Sequence, residues 1–185
     1  EMCIRDSFYN ARRHELMAAL PNAAHRGIVD LEKDFDVYVI TQNVDNLHER
    51  AGSKNIVHLH GELMKVRTID PPYRIYELDP EHLDTSPDTV DADGRHLRPH
   101  IVFFQEDVPE FGRAVELVEQ ADIFVVIGTT LSVYPAAALL RYVRPGVPTY
   151  YIDPHPAAVP ESVHVIAKTA SEGVAELADI LRHRH

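Results

Sequence analysis

Short apolar runs alternate with helical segments along this 185-residue chain, and this alternation constrains the fold most. The runs carry apolar residues at odd and even positions alike, which is typical of strands buried on both faces of a parallel sheet. The predicted strands are residues 37–41, 56–59, 100–104, 122–127 and 147–152. The predicted helices are residues 8–20, 22–33, 110–120, 134–142 and 171–184. The pattern predicts an α/β fold built on a parallel, doubly wound sheet.

Charge and composition exclude several classes of protein. The chain has 18 Lys and Arg against 29 Asp and Glu, a net charge of −11, so we expect neither a nucleic-acid partner nor a membrane partner. No apolar run approaches the roughly 18 to 20 residues that span a bilayer, and no basic-then-apolar leader opens the chain, so we expect a cytoplasmic protein. The single Cys3 excludes an internal disulfide and a cysteine-built zinc site, so zinc is not expected.

Polar clusters follow three of the predicted strands. They are Thr41-Gln42-Asn43-Val44-Asp45, Gly128-Thr129-Thr130 and Asp153-Pro154-His155. Because parallel strands bring their carboxyl ends to one edge of a sheet, we expect the clusters to converge on a ligand crevice.

Two of these clusters each allow a second interpretation. Gly128 would let the backbone approach a ligand closely, and the two threonines at the start of the next helix could hold a phosphate. Taken alone, the Gly-Thr-Thr triplet favours a plain turn with a Thr N-cap. Asp153 could bind ribose hydroxyls, or it could make an Asx-turn before Pro154.

His58 and His60 are two residues apart, so in a strand their side chains would share a face. The pair could chelate a metal together with Asp45 or His48, or one imidazole could act as a general base near neutral pH. For His58 a hydrogen-bonded structural role is the preferred interpretation. His60 differs because Gly61 would open space for a ligand beside it.

Tyr9 and Arg12 stand three residues apart in the first predicted helix, so they would lie on one face. The phenol and the guanidinium could jointly hold a carboxylate, with Arg12 binding it bidentately. From these residues alone, a solvated basic helix face is the better-supported interpretation.

Taken together, the motifs resemble the sirtuin family of NAD-dependent protein-lysine deacylases. Residues 41–52, followed by His60-Gly61-Glu62, are similar to the core signature of that family. Residues 98–106 resemble its substrate-binding strand, and residues 127–136 resemble its dinucleotide turn. The resemblance runs from Phe8 to the carboxyl end, with a gap in likeness near residues 66–97.

The resemblance implies a Rossmann-like domain that uses NAD as a cosubstrate and acylated-lysine proteins or peptides as partners. The acyl group would pass to ADP-ribose, and nicotinamide would leave. The implied catalytic residues are His60, the general base, with Asn43 and Asp45. The implied NAD-binding residues are Gln42, Asn43, Val44, Asp45, Gly128, Thr129, Thr130, Asp153, Pro154, His155 and Ala170. The implied substrate-binding residues are Tyr9, Arg12, Val102, Phe104 and Val133.

The resemblance also bears on acyl preference and on the peptide groove. Tyr9 and Arg12 match the Tyr-x-x-Arg pair of sirtuins that remove succinyl and malonyl groups, so it implies desuccinylase as well as deacetylase activity and favours the acyl clamp over a solvated face. Gln105 stands where the family usually has glycine, so we expect it either to crowd the peptide groove or to alter its hydrogen bonding.

The domain organisation follows from the same comparison. Residues 8–65 and 98–185 would form a discontinuous NAD-binding domain that lacks the family's first strand and phosphate loop, as in a truncated chain. Residues 66–97 would form a small inserted module without the family's zinc cysteines, built around Tyr73, Ile75, Tyr76 and Leu78. Residues 1–7 match no part of the pattern, and we expect them to lie outside the fold.

Two other functions stay open. A metal-dependent hydrolase could use His58 and His60 with a carboxylate, although the (β/α)₈ barrel most familiar for such pairs typically needs about 250 residues. A non-catalytic nucleotide-binding fragment is the other alternative.

Overall fold

The computed structural model describes residues 2–131 and 134–183. Its helices are α1 (Met2–Ala18), α2 (Ala23–Leu31), α3 (Leu47–Ala51), α4 (Phe111–Gln120), α5 (Ala136–Leu139) and α6 (Ala170–His183). Its strands are β1 (Val39–Thr41), β2 (Ile56–His58), β3 (Gly61–Thr68), β4 (Ile75–Glu77), β5 (Leu97–Ile101), β6 (Phe124–Ile127), β7 (Thr149–Ile152) and β8 (Val163–Ile166). Among these helices, none is both long enough and apolar enough to cross a bilayer.

The described residues divide into two compact units. The first combines residues 1–20, 41–46 and 60–108, and the second combines residues 21–40, 47–59 and 109–185. This division differs from the predicted one, in which residues 66–97 stand apart. The reason is that β3 runs straight through the predicted boundary at residue 66 and pairs with both β4 and β5.

The second unit contains a parallel sheet with two of the predicted strands, whereas the strand predicted at residues 100–104 falls on β5, which is antiparallel to β3. Strands β6, β7 and β8 lie side by side in parallel, with Ile127 opposite Ile152 and Ile152 opposite Ile166. All four residues of β7 are buried, as expected for a strand covered on both faces. Strand β8 was not predicted, because two of its four residues are exposed and its apolar pattern is weak.

Helices α2 and α6 complete the core of the second unit. Asn22 caps α2, because its side-chain oxygen accepts hydrogen bonds from the backbone N–H groups of Ala24 and His25. Gly173 in α6 lies against β7, where an added Cβ would stand 2.2 Å from the Ile152 side chain. The absence of a side chain at position 173 therefore lets α6 pack closely on the end of the central strand.

The first unit is built on an antiparallel sheet in the order β4-β3-β5. The predicted core of this region is wrong in part, since Tyr73 and Ile75 are 56% and 52% exposed. The buried residues of this region include Val66 and Thr68, at 2% and 0%. The Thr68 hydroxyl accepts a hydrogen bond from Arg74 N–H at 2.9 Å, so it closes the turn between β3 and β4 from inside.

Helix α1 is fixed to the first unit by a buried arginine. Arg13 is 0% exposed, and its guanidinium donates to the carbonyl oxygens of Leu63 and Leu83 and to the Thr85 hydroxyl, at 3.0 to 3.1 Å. Burial lowers the pKa of Arg13, although an arginine remains charged in proteins. The helix begins at Met2, earlier than the predicted start at Phe8; that residues 1–7 lie outside the domain stays a prediction.

Gly61 lets β3 and β5 approach closely. Its φ is +86°, and a Cβ at this position would lie 2.1 Å from the carbonyl oxygen of His100. The expectation that Gly61 opens space for a ligand is therefore wrong, because the backbone of β5 occupies that space.

We expect Gly61→Ala to lower the free energy of unfolding by about 2 to 4 kcal/mol, because the methyl group meets a backbone carbonyl in addition to the cost of a positive φ. Gly94→Ala is the matched control, since Gly94 has a φ of +77° with nothing within 4 Å of an added Cβ. That variant should lose only about 1 kcal/mol. Urea unfolding curves would measure both, and equal losses would contradict the steric explanation.

Candidate active site

His60 lies in the turn between β2 and β3 and is held at both its ring and its backbone. Its Nδ1 is 3.0 Å from the carbonyl oxygen of Gln42, and its own carbonyl accepts a hydrogen bond from Val102 N–H at 2.9 Å. A carbonyl oxygen can only accept, so Nδ1 donates and Nε2 keeps its lone pair in the neutral ring. The second nitrogen is then the one that can accept a proton.

The segment that follows β1 lies beside His60 in the first unit. Val44 accepts a hydrogen bond at its carbonyl from Leu63 N–H at 2.7 Å, and the Thr41 hydroxyl accepts one from Asn43 N–H at 3.1 Å. Together with the bond from His60 to Gln42, these contacts fix the backbone of residues 41–45. The structure therefore brings the segment carrying Gln42, Asn43, Val44 and Asp45 to the turn that carries His60.

His58 has a different environment in the second unit. Its Nε2 lies 2.5 Å from a carboxylate oxygen of Glu49, and its side chain is 8% exposed. Burial alone would raise the pKa of Glu49, but hydrogen bonds from His58 and the backbone, with the charges of His58 and His48, lower it overall. His58 thus has the hydrogen-bonded role that the sequence favoured for it.

Tyr9 and Arg12 lie on α1 in unlike surroundings. The Tyr9 ring packs 5.9 Å from the ring of Phe103, and burial raises the pKa of its hydroxyl although the charge of Arg98 opposes this. Arg12 is 58% exposed in its side chain and binds Glu15 at 3.1 Å. An exposed pair of this kind contributes only a few tenths of a kcal/mol, so a stronger anion could replace Glu15.

Residues 103–106 form a tight turn after β5. Glu106 N–H donates to the carbonyl of Phe103 at 3.1 Å, and Gln105 has a φ of +72°. The third residue of a turn is ordinarily glycine when its φ is positive, because a side chain disfavours that conformation. Gln105 is therefore unusual in its backbone conformation. Phe104, in the second place of the turn, is fully exposed. Val133, the other residue predicted for the peptide channel, lies outside the described residues.

The second unit gathers two of the predicted nucleotide residues at the carboxyl edge of its parallel sheet. Gly128 follows β6, and its N–H donates to the carbonyl of Ile152 at 2.9 Å. Asp153 follows β7, and its N–H donates to the carbonyl of Ile166 at 3.3 Å. Gly128 has a φ of +64° and open space where a Cβ would point, so the strand end can be approached closely by a ligand.

The expectations for Thr129 and Thr130 need correction. Helix α5 begins only at Ala136, so neither threonine stands at a helix start or serves as an N-cap. The carbonyl of Thr129 instead accepts a hydrogen bond from the buried hydroxyl of Tyr151 at 2.9 Å. The same hydroxyl accepts one from Ala157 N–H at 3.3 Å.

Asp153 makes the Asx-turn that was one of its two interpretations. Its carboxylate accepts a hydrogen bond from His155 N–H at 2.7 Å, while Pro154 and His155 are exposed. Ala170 is the first residue of α6, and the Thr169 hydroxyl before it donates to the Glu172 carboxylate at 2.8 Å and accepts from Glu172 N–H at 3.4 Å. Polar side chains thus order both the loop after β7 and the start of α6.

Three charged residues that the sequence analysis did not single out hold these elements in place. They are Arg13 in α1, Glu49 in α3 and Glu106 in the turn after β5. Arg13 binds residues 50 to 72 positions away along the chain, which no local pattern reports. The nine-residue spacing of Glu49 and His58 across a short helix and a strand likewise matches no helical or strand period.

Comparisons with known proteins identify relatives of the chain. The model of the Sir2 family matches residues 1–135. A protein of Bacteroides thetaiotaomicron named NAD-dependent protein deacylase is 55% identical over 180 residues, 95% of this chain and 77% of that protein. One of the same name from Aggregatibacter actinomycetemcomitans is 50% identical over 151 residues, 81% of this chain and 71% of its own.

Solved structures give the same result. A crystal structure of a Sir2 homologue in complex with NAD is 35% identical, with a TM-score of 0.84 over 97% of this chain and 72% of that one. A Sir2 complex with a p53 peptide and NAD is 30% identical, with a TM-score of 0.75 over 90% of this chain and 72% of that one. On sequence and on fold, the chain belongs to the Sir2 family.

Proposed function

We propose that this protein is an NAD-dependent protein-lysine deacylase, which transfers the acyl group of a modified lysine to ADP-ribose and releases nicotinamide. The observation that carries the proposal is the placement of His60, whose ring is oriented by the carbonyl of Gln42 beside the signature segment 41–45. Family membership favours this function over a metal-dependent hydrolase. Its cytoplasmic location stays a prediction from the sequence.

Each unit, taken by itself, carries groups whose chemistry fits a part of NAD. Gly128 and Asp153 stand at the open carboxyl edge of a parallel sheet, where nucleotides bind in folds of this kind. We assign the phosphate and adenosine part to the loops of the second unit, at Gly128, Thr129, Thr130, Asp153, Pro154, His155 and Ala170. The nicotinamide ribose is assigned to Gln42, Asn43, Val44 and Asp45. Bound NAD supplies an electrophilic sugar carbon with nicotinamide as leaving group.

His60 acts as the general base in this proposal. Donation from Nδ1 to the Gln42 carbonyl leaves Nε2 to accept the proton of a sugar hydroxyl, and it steadies the ring as the positive charge forms. Asn43 and Asp45 lie on the segment that this contact fixes, so they would orient the same sugar. A base held in one orientation loses little entropy when the proton moves.

The substrate would be held by the first unit. Backbone groups after β5 would pair with an extended peptide, and Val102 would line the channel for the lysine stem. The exposed Phe104 would contact the same peptide. Tyr9, whose raised pKa keeps its hydroxyl protonated at neutral pH, can donate to the carboxylate of a succinyl group. Arg12 would exchange Glu15 for that carboxylate and bind it bidentately.

We expect His60→Ala to lower the rate of peptide deacylation by at least about 100-fold, because the base for the sugar hydroxyl is lost. The measurement is formation of deacylated peptide from an acetyl-lysine peptide and NAD by mass spectrometry. His82→Ala is the matched control, since His82 is a histidine whose side chain is 81% exposed, and it should leave the rate unchanged. Full activity in His60→Ala would remove this residue as the base.

We expect Arg12→Met to reduce kcat/KM for a succinylated peptide at least about 10-fold more than for the acetylated peptide. Only the succinyl group offers a carboxylate to the guanidinium, and such charged hydrogen bonds contribute about 1.5 to 3 kcal/mol. Arg113→Met is a suitable control, because Arg113 is also exposed and pairs with an acidic residue three positions away. Equal losses on the two peptides would show that Arg12 does not select the acyl group.

A further inference from the structure

The turn at residues 103–106 has an unfavourable backbone. Gln105 lies in the left-handed region at a φ of +72°. For a residue with a side chain, this conformation is roughly 5- to 30-fold less populated than the right-handed one. The backbone of the turn makes one hydrogen bond across it, from Glu106 N–H to the Phe103 carbonyl at 3.1 Å. Other groups must therefore hold the turn.

The side chain of Glu106 supplies those contacts. Its two carboxylate oxygens each accept a hydrogen bond from the guanidinium of Arg98, both at 2.8 Å, and one of them also accepts Phe103 N–H at 2.9 Å. Arg98 in turn donates to the carbonyl of Ile101 at 2.9 Å. The hydrogen bonds from Arg98 lower the pKa of Glu106, in keeping with a carboxylate that stays ionised. One bidentate pair thus joins the end of β5 to both ends of the turn.

The Arg98–Glu106 pair is connected through Phe103 to Tyr9, one of the residues assigned to the acyl group. The guanidinium of Arg98 lies 4.5 Å from the centre of the Phe103 ring, and that ring lies 5.9 Å from the ring of Tyr9. Arg67 lies 3.9 Å from Glu106 on the other side, so the carboxylate is held between two cations. A change at Glu106 is transmitted to the peptide segment through the backbone and to Tyr9 through Phe103.

We propose that Glu106, through Arg98, is a positioning residue for the acylated peptide, which holds the turn that displays Phe104 and the ring against which Tyr9 packs. The inference rests on the proposed deacylase function and adds to it a residue that touches neither substrate nor NAD. Because the pair orders the peptide side alone, its loss weakens binding of the peptide and leaves chemistry on bound substrate intact.

The test is a steady-state comparison of wild type with Glu106→Gln and Glu106→Ala. Glutamine can keep the acceptor for Phe103 N–H but loses the charged bidentate pair, whereas alanine loses both. We expect KM for an acetyl-lysine peptide to rise about 5-fold in Glu106→Gln and at least about 20-fold in Glu106→Ala. In both variants kcat and KM for NAD should stay within about 2-fold of wild type. Glu110→Gln should change none of these values, because Glu110 is a half-exposed glutamate that pairs with Arg113 instead.

A second variant distinguishes positioning from general loss of structure. Adding Gln105→Gly to Glu106→Gln puts glycine, which adopts a positive φ without strain, at the left-handed position of the turn. The turn then depends less on the Arg98–Glu106 pair, so KM for the peptide should return at least halfway to the wild-type value. A fall in kcat with unchanged peptide KM, or no rescue by Gln105→Gly, would overturn the proposal.

Hydrogen exchange of the Phe103 amide separates this proposal from the proposed function. Exchange should be faster in Glu106→Gln than in wild type, whether or not the protein turns over substrate. Faster exchange with unchanged peptide KM would mean that the pair orders the turn without positioning substrate, which contradicts the inference. A wild-type protein that consumes no NAD with any acylated peptide would overturn the proposed function itself.

Discussion

The first unit depends on the close approach of β3 to β5 at Gly61. With no side chain at that position, the His100 carbonyl occupies the space a Cβ would fill, and the neighbouring backbones can pair. Val102 then donates to the carbonyl of His60, whose ring donates to Gln42. One missing side chain thus sets the distance between the segment assigned to the peptide and the imidazole assigned to proton transfer.

In the second unit, strand pairing and a glycine in α6 position the residues assigned to NAD. Parallel pairing places the ends of β6, β7 and β8 in register, and Gly173 lets α6 lie directly on Ile152. The strand ends are therefore rigid where Gly128 and Asp153 emerge from them. Polar loops that follow rigid strands are a common way to combine a precise ligand position with variable contacts.

Features with a local cause could be predicted from the sequence. Residue type and short spacing account for the parallel strands β6 and β7, the Asn22 cap and the structural role of His58. The predicted helix start at Thr129 and Thr130 was wrong, because Leu131 after them is not helical and α5 begins only at Ala136. Arg13, Glu49 and Glu106 escaped prediction because their partners are set by the folded backbone, and Gly61 was misread because its neighbour lies 39 positions along the chain.

The hydroxyl of Tyr151 serves two loops at once, donating to Thr129 after β6 and accepting from Ala157 after β7. Because one hydroxyl group makes both hydrogen bonds, a movement of either loop changes the geometry of the bond to the other loop. The phenol ring is itself fully buried, so it cannot swing away to follow either side. The shared hydroxyl therefore links the backbones of the two loops, so a ligand that immobilised one of them would leave less entropy to be lost in ordering the other.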